Sequence, residues 1–423
     1  MAGDDDALKA LARAIARIEE LLDRLPLDVA KDLRARVATL RTVLLDKRPP
    51  ALVLVGRRGA GKSSVVNALF GAKVAELGHV TAQTGRARWY LYERGGGSMR
   101  VLDTRGMQEG SSPAEGDPAG SALESVAVEL RVQPPDVVVF VAKATEVDAA
   151  IDGDLDALER VYDEIRRTHR LEPPLVAVVT HADTLEPKAT RLHEEGKEPP
   201  EDVEEKKRHV TLAEHALARK IDARDKLRPR LVATVGVSAY MSWRNDGSLR
   251  ADERWRIDDL ATTLFRHLPD ASHAELARAT QARAVQEELA SKLTSATAAL
   301  CAGIAAVPFV PAAVIPLTSL QAGMVAGIAW IGGRSVDKRG ATEFMASLSA
   351  NVGLGIGLRI AARALMDLVT GGAAAVVSAT FAFTGTMAIG GAAKAYYIRG
   401  VSMTEAARIF RRKRKEKDGS RDV

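Results

Sequence analysis

The sequence predicts an α/β domain with a mainly parallel sheet, flanked by an N-terminal helical hairpin and an all-α hydrophobic C-terminal domain. Three observations carry that prediction. Short apolar runs alternate with helical stretches between residues 51 and 268, the pattern of a parallel sheet with crossover helices. A glycine-rich segment, Gly56 to Ser64 (GRRGAGKSS), joins the first of those runs to a helical one. The composition then changes: Leu293 to Gly333 and Leu368 to Ala393 hold no charged residue.

At 423 residues the chain can hold two or three domains. Its apolar content of 46% can build cores, and aromatics at 4% leave those cores to Ala, Val, Leu and Ile. Net charge is +5. The cations gather in the final RIFRRKRKEKDGSRDV, so placement matters more than the total. Cys301 is the single cysteine, which excludes an internal disulfide and suits a reducing compartment. The opening MAGDDDALKA is acidic without an apolar core and does not read as a signal peptide.

Residues 1–48 read as two helices. Leu8, Leu11, Ile15, Ile18, Leu21 and Leu22 recur at helical spacing from Ala7 to Leu25. Val29, Leu33, Val37, Leu40, Val43 and Leu44 do so from Leu27 to Asp46, and Pro26 separates the two. Residues 49–269 read as the α/β domain, with strands at 51–55, 86–93, 99–103, 136–142, 175–180 and 231–237. Gly95-Gly96-Gly97 between the second and third marks a hairpin, hence an antiparallel pair at one side of the sheet. Residues 185–228, rich in Glu, Lys and Pro, read as an insertion: a loop, then from Glu201 an exposed helix with a solvated charged face, ending before Pro229. Residues 270–400 read as a hydrophobic helical domain and 401–423 as a basic tail.

Gly56 to Ser64 stands between a strand and a helix, the setting of a phosphate-binding loop. Gly56, Arg57, Arg58, Gly59, Ala60 and Gly61 would turn their N–H groups toward a polyphosphate. The start of the next helix adds its partial positive charge. Lys62 would reach the β- and γ-phosphates, and Ser63, followed by Ser64, would ligate Mg²⁺. Three further segments choose the base and complete the site. Asp103-Thr104-Arg105-Gly106 places a carboxylate for Mg²⁺ and a Gly106 N–H for the γ-phosphate. Thr180-His181-Ala182-Asp183 offers a carboxylate that can accept both guanine N1–H and the 2-amino group, a pairing adenine does not provide. Ser238-Ala239 offers backbone N–H groups for guanine O6. Each segment lies at the C-terminal end of a predicted strand, where open α/β sheets bind ligands. GTP or GDP with Mg²⁺ is the expected ligand set.

On these residues, the region 51–268 resembles a GTPase domain of the translation-factor-related class, nearest the Era-like group, with septins and dynamins as more distant relatives. The resemblance implies that Lys62 and Ser63 bind phosphate and Mg²⁺, that Asp103 and Gly106 form a switch, and that Asp183 reads guanine. The family carries Lys where His181 stands; chloroplast import-receptor GTPases are similar in having Thr-His there. The resemblance also implies a switch threonine that closes over Mg²⁺ and the γ-phosphate. Thr84 is favoured for it over Thr81, which would make Thr84 a metal ligand and part of the catalytic set. Ras-like enzymes orient water with a Gln just after DxxG; here Met107 stands there, with Gln108 one place later. Era- and dynamin-like groups commonly carry an apolar residue at that position and take the catalytic group from a dimer partner or a bound cation. Gly59 stands where cation-dependent relatives carry Asn. Arg57 and Arg58 are candidates for an arginine supplied in cis, with exposed surface charge as their alternative. Hydrolysis is expected to be slow without a partner or self-association.

Two readings compete for residues 294–393. Both uncharged stretches reach the ~20 residues that span a bilayer, Gly323/Gly327 and Gly353/Gly357 have small-xxx-small spacing, and the basic tail would meet anionic lipid. Against spanning, Pro308, Pro311 and Pro316 would break the first stretch. Thr370, Gly371, Gly372, Ser378, Thr380, Thr384 and Thr386 interrupt the second. Residues 295–400 also resemble the YcjF-type hydrophobic domain fused to Era-like GTPases in bacteria. The resemblance rests on Val307-Pro308-Phe309, on Leu317 to Gln321 with Met324, and on the Gly-rich Leu368 to Ala393. It implies membrane association. The expectation is a GTP-hydrolysing switch on the cytoplasmic face of a membrane, with a lipid surface, an unknown protein partner and self-association as interactions. A dynamin-like membrane remodeller and a soluble scaffold with a structural nucleotide site are the alternatives. Nucleic acid is not expected, because the tail has one aromatic, Phe410.

Overall fold

A strand with no polar residue needs cover on both faces. Ala51–Val55 (β1), buried throughout, has it as a central strand. In the computed structural model the described residues are 27–75, 87–103, 122–148, 151–306, 314–334, 338–350 and 373–418, with isolated positions elsewhere. Arg88–Arg94 (β2), Gly97–Asp103 (β3), Val137–Lys143 (β4), Leu175–Thr180 (β5) and Leu231–Gly236 (β6) complete a six-stranded sheet in the order β2-β3-β1-β4-β5-β6. All pairings are parallel except β2 with β3. Every expected strand is present within two residues. Gly95 and Gly96, at φ 58° and 75°, make the tight turn between β2 and β3, as two positive-φ residues in a hairpin should. The chain passes from one side of β1 to the other between β3 and β4, which opens a crevice at the C-terminal strand ends.

Lys62–Phe70 (α2), Ala122–Val132 (α3), Asp152–His169 (α4), Pro200–Asp222 (α5), Ile257–His267 (α6) and Asp270–Thr280 (α7) accompany the sheet in one compact unit, Pro49–Ala282. A short hairpin absent from the sequence reading, Met241–Trp243 (β7) with Leu249–Asp252 (β8), follows β6. Helix α7, expected among the hydrophobic helices, packs on the sheet unit instead. Ser98 donates to Glu275 Oε2 from both its backbone N and its Oγ, each at 2.8 Å. Arg278 Nε donates to the Gly95 carbonyl at 3.0 Å. Glycine at 97 permits this approach, since a Cβ there would stand 2.3 Å from the Ala279 nitrogen.

The second unit joins Met1–Arg48 to Arg283–Val423. Its described helices are Leu27–Leu44 (α1), Arg283–Ala306 (α8), Val314–Ile331 (α9), Lys338–Ala350 (α10), Ala373–Tyr397 (α11) and Met403–Asp418 (α12). The uncharged residues make its core: Leu320, Met324, Val325, Ile328 and Ala329 of α9 are buried with Leu293, Ala298, Leu300 and Cys301 of α8. Gly303 abuts Leu33 and Gly390 abuts Thr294, so both contacts depend on small residues. Pro316 does not break its stretch; it sits in the first turn of α9, where no intrahelical donor is lost. Nor do the hydroxyls break α11, because Thr384 and Thr386 donate back to the carbonyls of Thr380 and Ala382 at 2.9 and 2.7 Å. Pro308, Pro311, Thr370, Gly371, Gly372 and the Gly353/Gly357 pair lie outside the described residues. Among the described residues, no helix is long and apolar enough to cross a membrane.

Candidate functional site

The glycine-rich loop leaves β1 with Gly56 at φ 152°, where a Cβ would overlap the Val141 carbonyl. Gly59 and Gly61 also have positive φ, 78° and 94°, a region open to glycine and costly for other residues. Gly61 caps α2, so the first-turn N–H groups, at Lys62, Ser63 and Ser64, stand at the loop, where no intrahelical acceptor precedes them. The Lys62 ammonium donates across the loop to the carbonyls of Gly56 at 2.6 Å and Arg57 at 3.0 Å. Arg58 and Gly59 are exposed at the rim, and Ala60 is buried beneath it.

Thr180 links this loop to the base segment. Its hydroxyl donates to the Ala60 carbonyl at 2.6 Å, with the Ala142 carbonyl at 3.2 Å. His181 Nδ1 lies 3.0 Å from the same oxygen. Since the hydroxyl proton is directed at the carbonyls, the imidazole contact requires Nδ1–H as donor, which assigns the tautomer. Burial pushes the His181 pKa down, against the opposing pull of Asp183. Ala182 N donates to the Val237 carbonyl at 3.3 Å and Val237 N to the Val179 carbonyl at 2.8 Å. The phosphate loop, Thr180–Asp183 and the segment after β6 are therefore one hydrogen-bonded assembly at the C-terminal end of the sheet. Among the described residues no hydrogen bond or ion pair engages the Asp183 carboxylate, which leaves it available to a base.

Two expected contributions change. Ser238 N–H is taken up by the Trp255 carbonyl at 3.2 Å, and Trp255 N–H returns to the Ser238 carbonyl at 3.0 Å. The chain beyond the β7–β8 hairpin brings Trp255 there, so Ser238 N–H is already committed and the expected donor role falls to Ala239. The Ser238 hydroxyl is buried with no hydrogen-bond partner among the described residues. Arg57 is tied to Asp154, 2.8 Å from Nε, with Glu146 at 3.7 Å, and its side chain braces the loop. Asp103 ends β3, in register with Leu54 and Arg88. Thr81, Thr84, Gly106, Met107 and Gln108 lie outside the described residues. Asn67 fixes the chain shortly before the two threonines, accepting from Val74 N and Ala75 N at 2.8 and 2.7 Å and donating to the Ala75 carbonyl at 2.9 Å.

The insertion holds what the sequence reading missed. Leu192–Lys197 is a 3₁₀ segment where a loop was expected, and α5 follows it. Lys206, expected on a solvated face, is fully buried; its ammonium donates to the carbonyls of Asp183, Pro187 and Thr190 at 2.7, 3.1 and 2.8 Å. Glu214 on the same helix accepts from Gly236 N at 2.5 Å and from Arg256 Nη1 at 2.8 Å.

The model of a family described as 50S ribosome-binding GTPase matches residues 51–181. That range holds the phosphate loop, β3 and the start of the base segment. Residues 51–181 carry a P-loop GTPase domain. The chain is similar to GTPase Der of Agathobacter rectalis, 27% identical over 150 residues, 34% of this chain and 30% of that protein. It is similar also to the small ribosomal subunit biogenesis GTPase RsgA of Xanthomonas oryzae pv. oryzae, 35% identical over 158 residues, 35% of this chain and 42% of that one. The chain thus spans less than half the length of these curated relatives. Among solved structures, Toc33 from Arabidopsis thaliana in complex with GDP and Mg²⁺ is 20% identical at a TM-score of 0.34, over 62% of this chain and 95% of that one. Era in complex with MgGDPNP and a 16S ribosomal RNA segment is 19% identical at 0.31, over 60% and 68%.

Proposed function

We propose that the chain binds GTP and GDP with Mg²⁺ and hydrolyses GTP to GDP and phosphate, as a switch. The observation that carries this is the hydrogen-bonded union of phosphate loop, Thr180–Asp183 and the Ala239 segment, which puts a phosphate cradle and a free carboxylate at one crevice. Lys62 and the N–H groups at the start of α2 hold the polyphosphate. Asp183 accepts from guanine, and Ala239 N–H donates to O6. Ser63, Asp103 and Thr84 offer hard oxygen donors, which suit Mg²⁺; the ion supplies charge neutralisation at the β- and γ-oxygens. Thr84 and Gly106 are the residues assigned to sense the γ-phosphate. Arg58, exposed at the rim, remains the candidate arginine in cis, and hydrolysis is slow without a partner or self-association.

The test is direct: titrate the protein with a fluorescent GDP and follow phosphate release from GTP. Wild type should bind GDP over ADP by at least a hundredfold. Lys62→Ala should abolish binding, and Asp183→Asn should move preference toward xanthine nucleotides. A wild-type protein indifferent to the base would remove the reading.

The second unit is assigned to membrane-surface association at the cytoplasmic face, in keeping with the YcjF-type resemblance. The observation favouring it is α12, which presents exposed Arg408, Arg411 and Arg412, the charge that anionic lipid attracts. Co-sedimentation with anionic liposomes, loaded with GDP or a non-hydrolysable GTP analogue, tests it. No pelleting in either state would leave a helical unit directed at proteins alone. The ribosomal roles in the relatives' names belong to chains that this match covers by less than half, and they are not carried over.

A further inference from the structure

We infer that α5, carried by the charged insertion, is the element that sets guanine selectivity, and that Lys206 is its positioning residue. The inference rests on the guanine reading of Asp183 and extends it to residues that never touch the nucleotide.

Burying an ammonium is costly unless it is paired or fully hydrogen-bonded. Lys206 meets that condition. An ammonium has three donors, and all three are used, on three backbone carbonyls of the segment that follows β5. One is the carbonyl of Asp183 itself; the others, at Pro187 and Thr190, lie where the chain turns back toward α5. The segment has little regular structure to hold it: a 3₁₀ turn at Ala182–Thr184, then coil to Leu192. Lys206 therefore supplies hydrogen bonds that a helix or strand would otherwise give. Ala182, Leu192, Val203 and Val210, from the same segment and helix, form a small buried apolar cluster, and Lys206 itself is fully buried.

Two turns along the same helix, Glu214 accepts from Gly236 N at the end of β6, just before Val237 and Ser238. Residues eight apart lie on one helix face. One face of α5 thus grips both halves of the base pocket: the Asp183 carboxylate side through Lys206, and the O6-donor side through Glu214. Arg256 Nη1 shares the Glu214 carboxylate at 2.8 Å, which keeps that grip oriented. A carboxylate reading two donors of guanine loses most of its discrimination if displaced by about 1 Å, since paired hydrogen bonds demand both distance and angle.

The experiment compares affinities for GDP and IDP, which lacks the 2-amino group that Asp183 reads, in wild type and Lys206→Met. The expected result is a GDP affinity lowered tenfold or more in the variant and an IDP affinity lowered less, through the shared N1–H alone, so that the GDP:IDP ratio falls toward one. A general loss of folding would lower both nucleotides together, so the ratio separates positioning from stability. Lys206→Gln, which keeps two donors, should give an intermediate ratio and serves if the Met variant fails to fold. A wild-type GDP:IDP ratio retained in both variants overturns the inference while leaving the guanine reading intact. A wild type that does not prefer GDP overturns the guanine reading, and with it this one.

Discussion

Arg57 Nε donates to Asp154 Oδ2 at 2.8 Å, and the carboxylate it meets is 2% exposed. This pair fastens the phosphate loop to α4. An arginine that stabilises a transition state must reach the phosphates, and its loss costs ~10³-fold or more in rate. Arg57→Met is expected to lower hydrolysis by far less than that. It should instead lower stability by about 1–3 kcal/mol, the cost of leaving a buried acceptor unpaired. Single-turnover hydrolysis and thermal unfolding on one preparation separate the two; a thousandfold rate loss with unaltered unfolding would return Arg57 to the catalytic set.

The contact of Gly97 with α7 gives a second expectation. A valine there would overlap the Ala279 nitrogen and the Glu275 carbonyl, and overpacking against backbone costs roughly 1–3 kcal/mol. Gly153, in the first turn of α4, has nothing within 4 Å of its Cβ position, so Gly153→Ala should be neutral or slightly stabilising. Denaturant melts of the two variants should therefore move in opposite directions or differ by at least the cost of the clash.

His181 predicts an acid limit. Its pKa is lowered from the ordinary 6.5, chiefly by burial. The folded protein disfavours the protonated ring, so this group contributes a penalty that is absent above the unfolded pKa and grows as pH falls below about 6.5. Protonation also leaves Nε2 as a second donor in place of an acceptor. Unfolding midpoints measured from pH 7.5 down to 5 should decline in wild type, and the decline should be shallower in His181→Gln. An equal slope in both would assign the acid sensitivity elsewhere.

In the helical unit, Cys301 is fully buried and its thiol is pushed up to about 12 by that burial. Thiolate is the reactive form, so a disulfide reagent at pH 8 should label the native protein no faster than the unit opens. Labelling rates that rise with denaturant in step with loss of helical signal would show this. Immediate stoichiometric labelling in buffer would contradict the packing.

The sheet was legible because β1, β4 and β5 are nearly continuous apolar runs and because Gly95 and Gly96 mark the turn between β2 and β3. The phosphate loop was legible from Gly56, Gly61 and Lys62 in that order. The role of α5 was not, because EEKKRH reads as surface when charges are counted. A finer signal was present: Val203, Lys206, Val210, Ala213 and Leu217 fall on one helical stripe, and a lysine inside an apolar stripe has to meet acceptors. The commitment of Ser238 N–H was illegible for another reason. It depends on Trp255, which arrives only after a hairpin too short to show periodicity. The Gly97 contact with α7 was hidden likewise, since nothing local tells a turn glycine from one that admits a neighbouring backbone.

Because α5 holds both sides of the base pocket, residues 185–228 are not a detachable ornament on a minimal domain. A trimmed chain that joined Thr184 to Pro229 would keep all the short motifs and still lose the donor that holds the Asp183 carbonyl. Grafting the Thr180–Asp183 segment alone onto another scaffold would transfer the letters without their support. Swapping residues 180–256 as one cassette would carry Asp183, α5, Ala239 and Arg256 together.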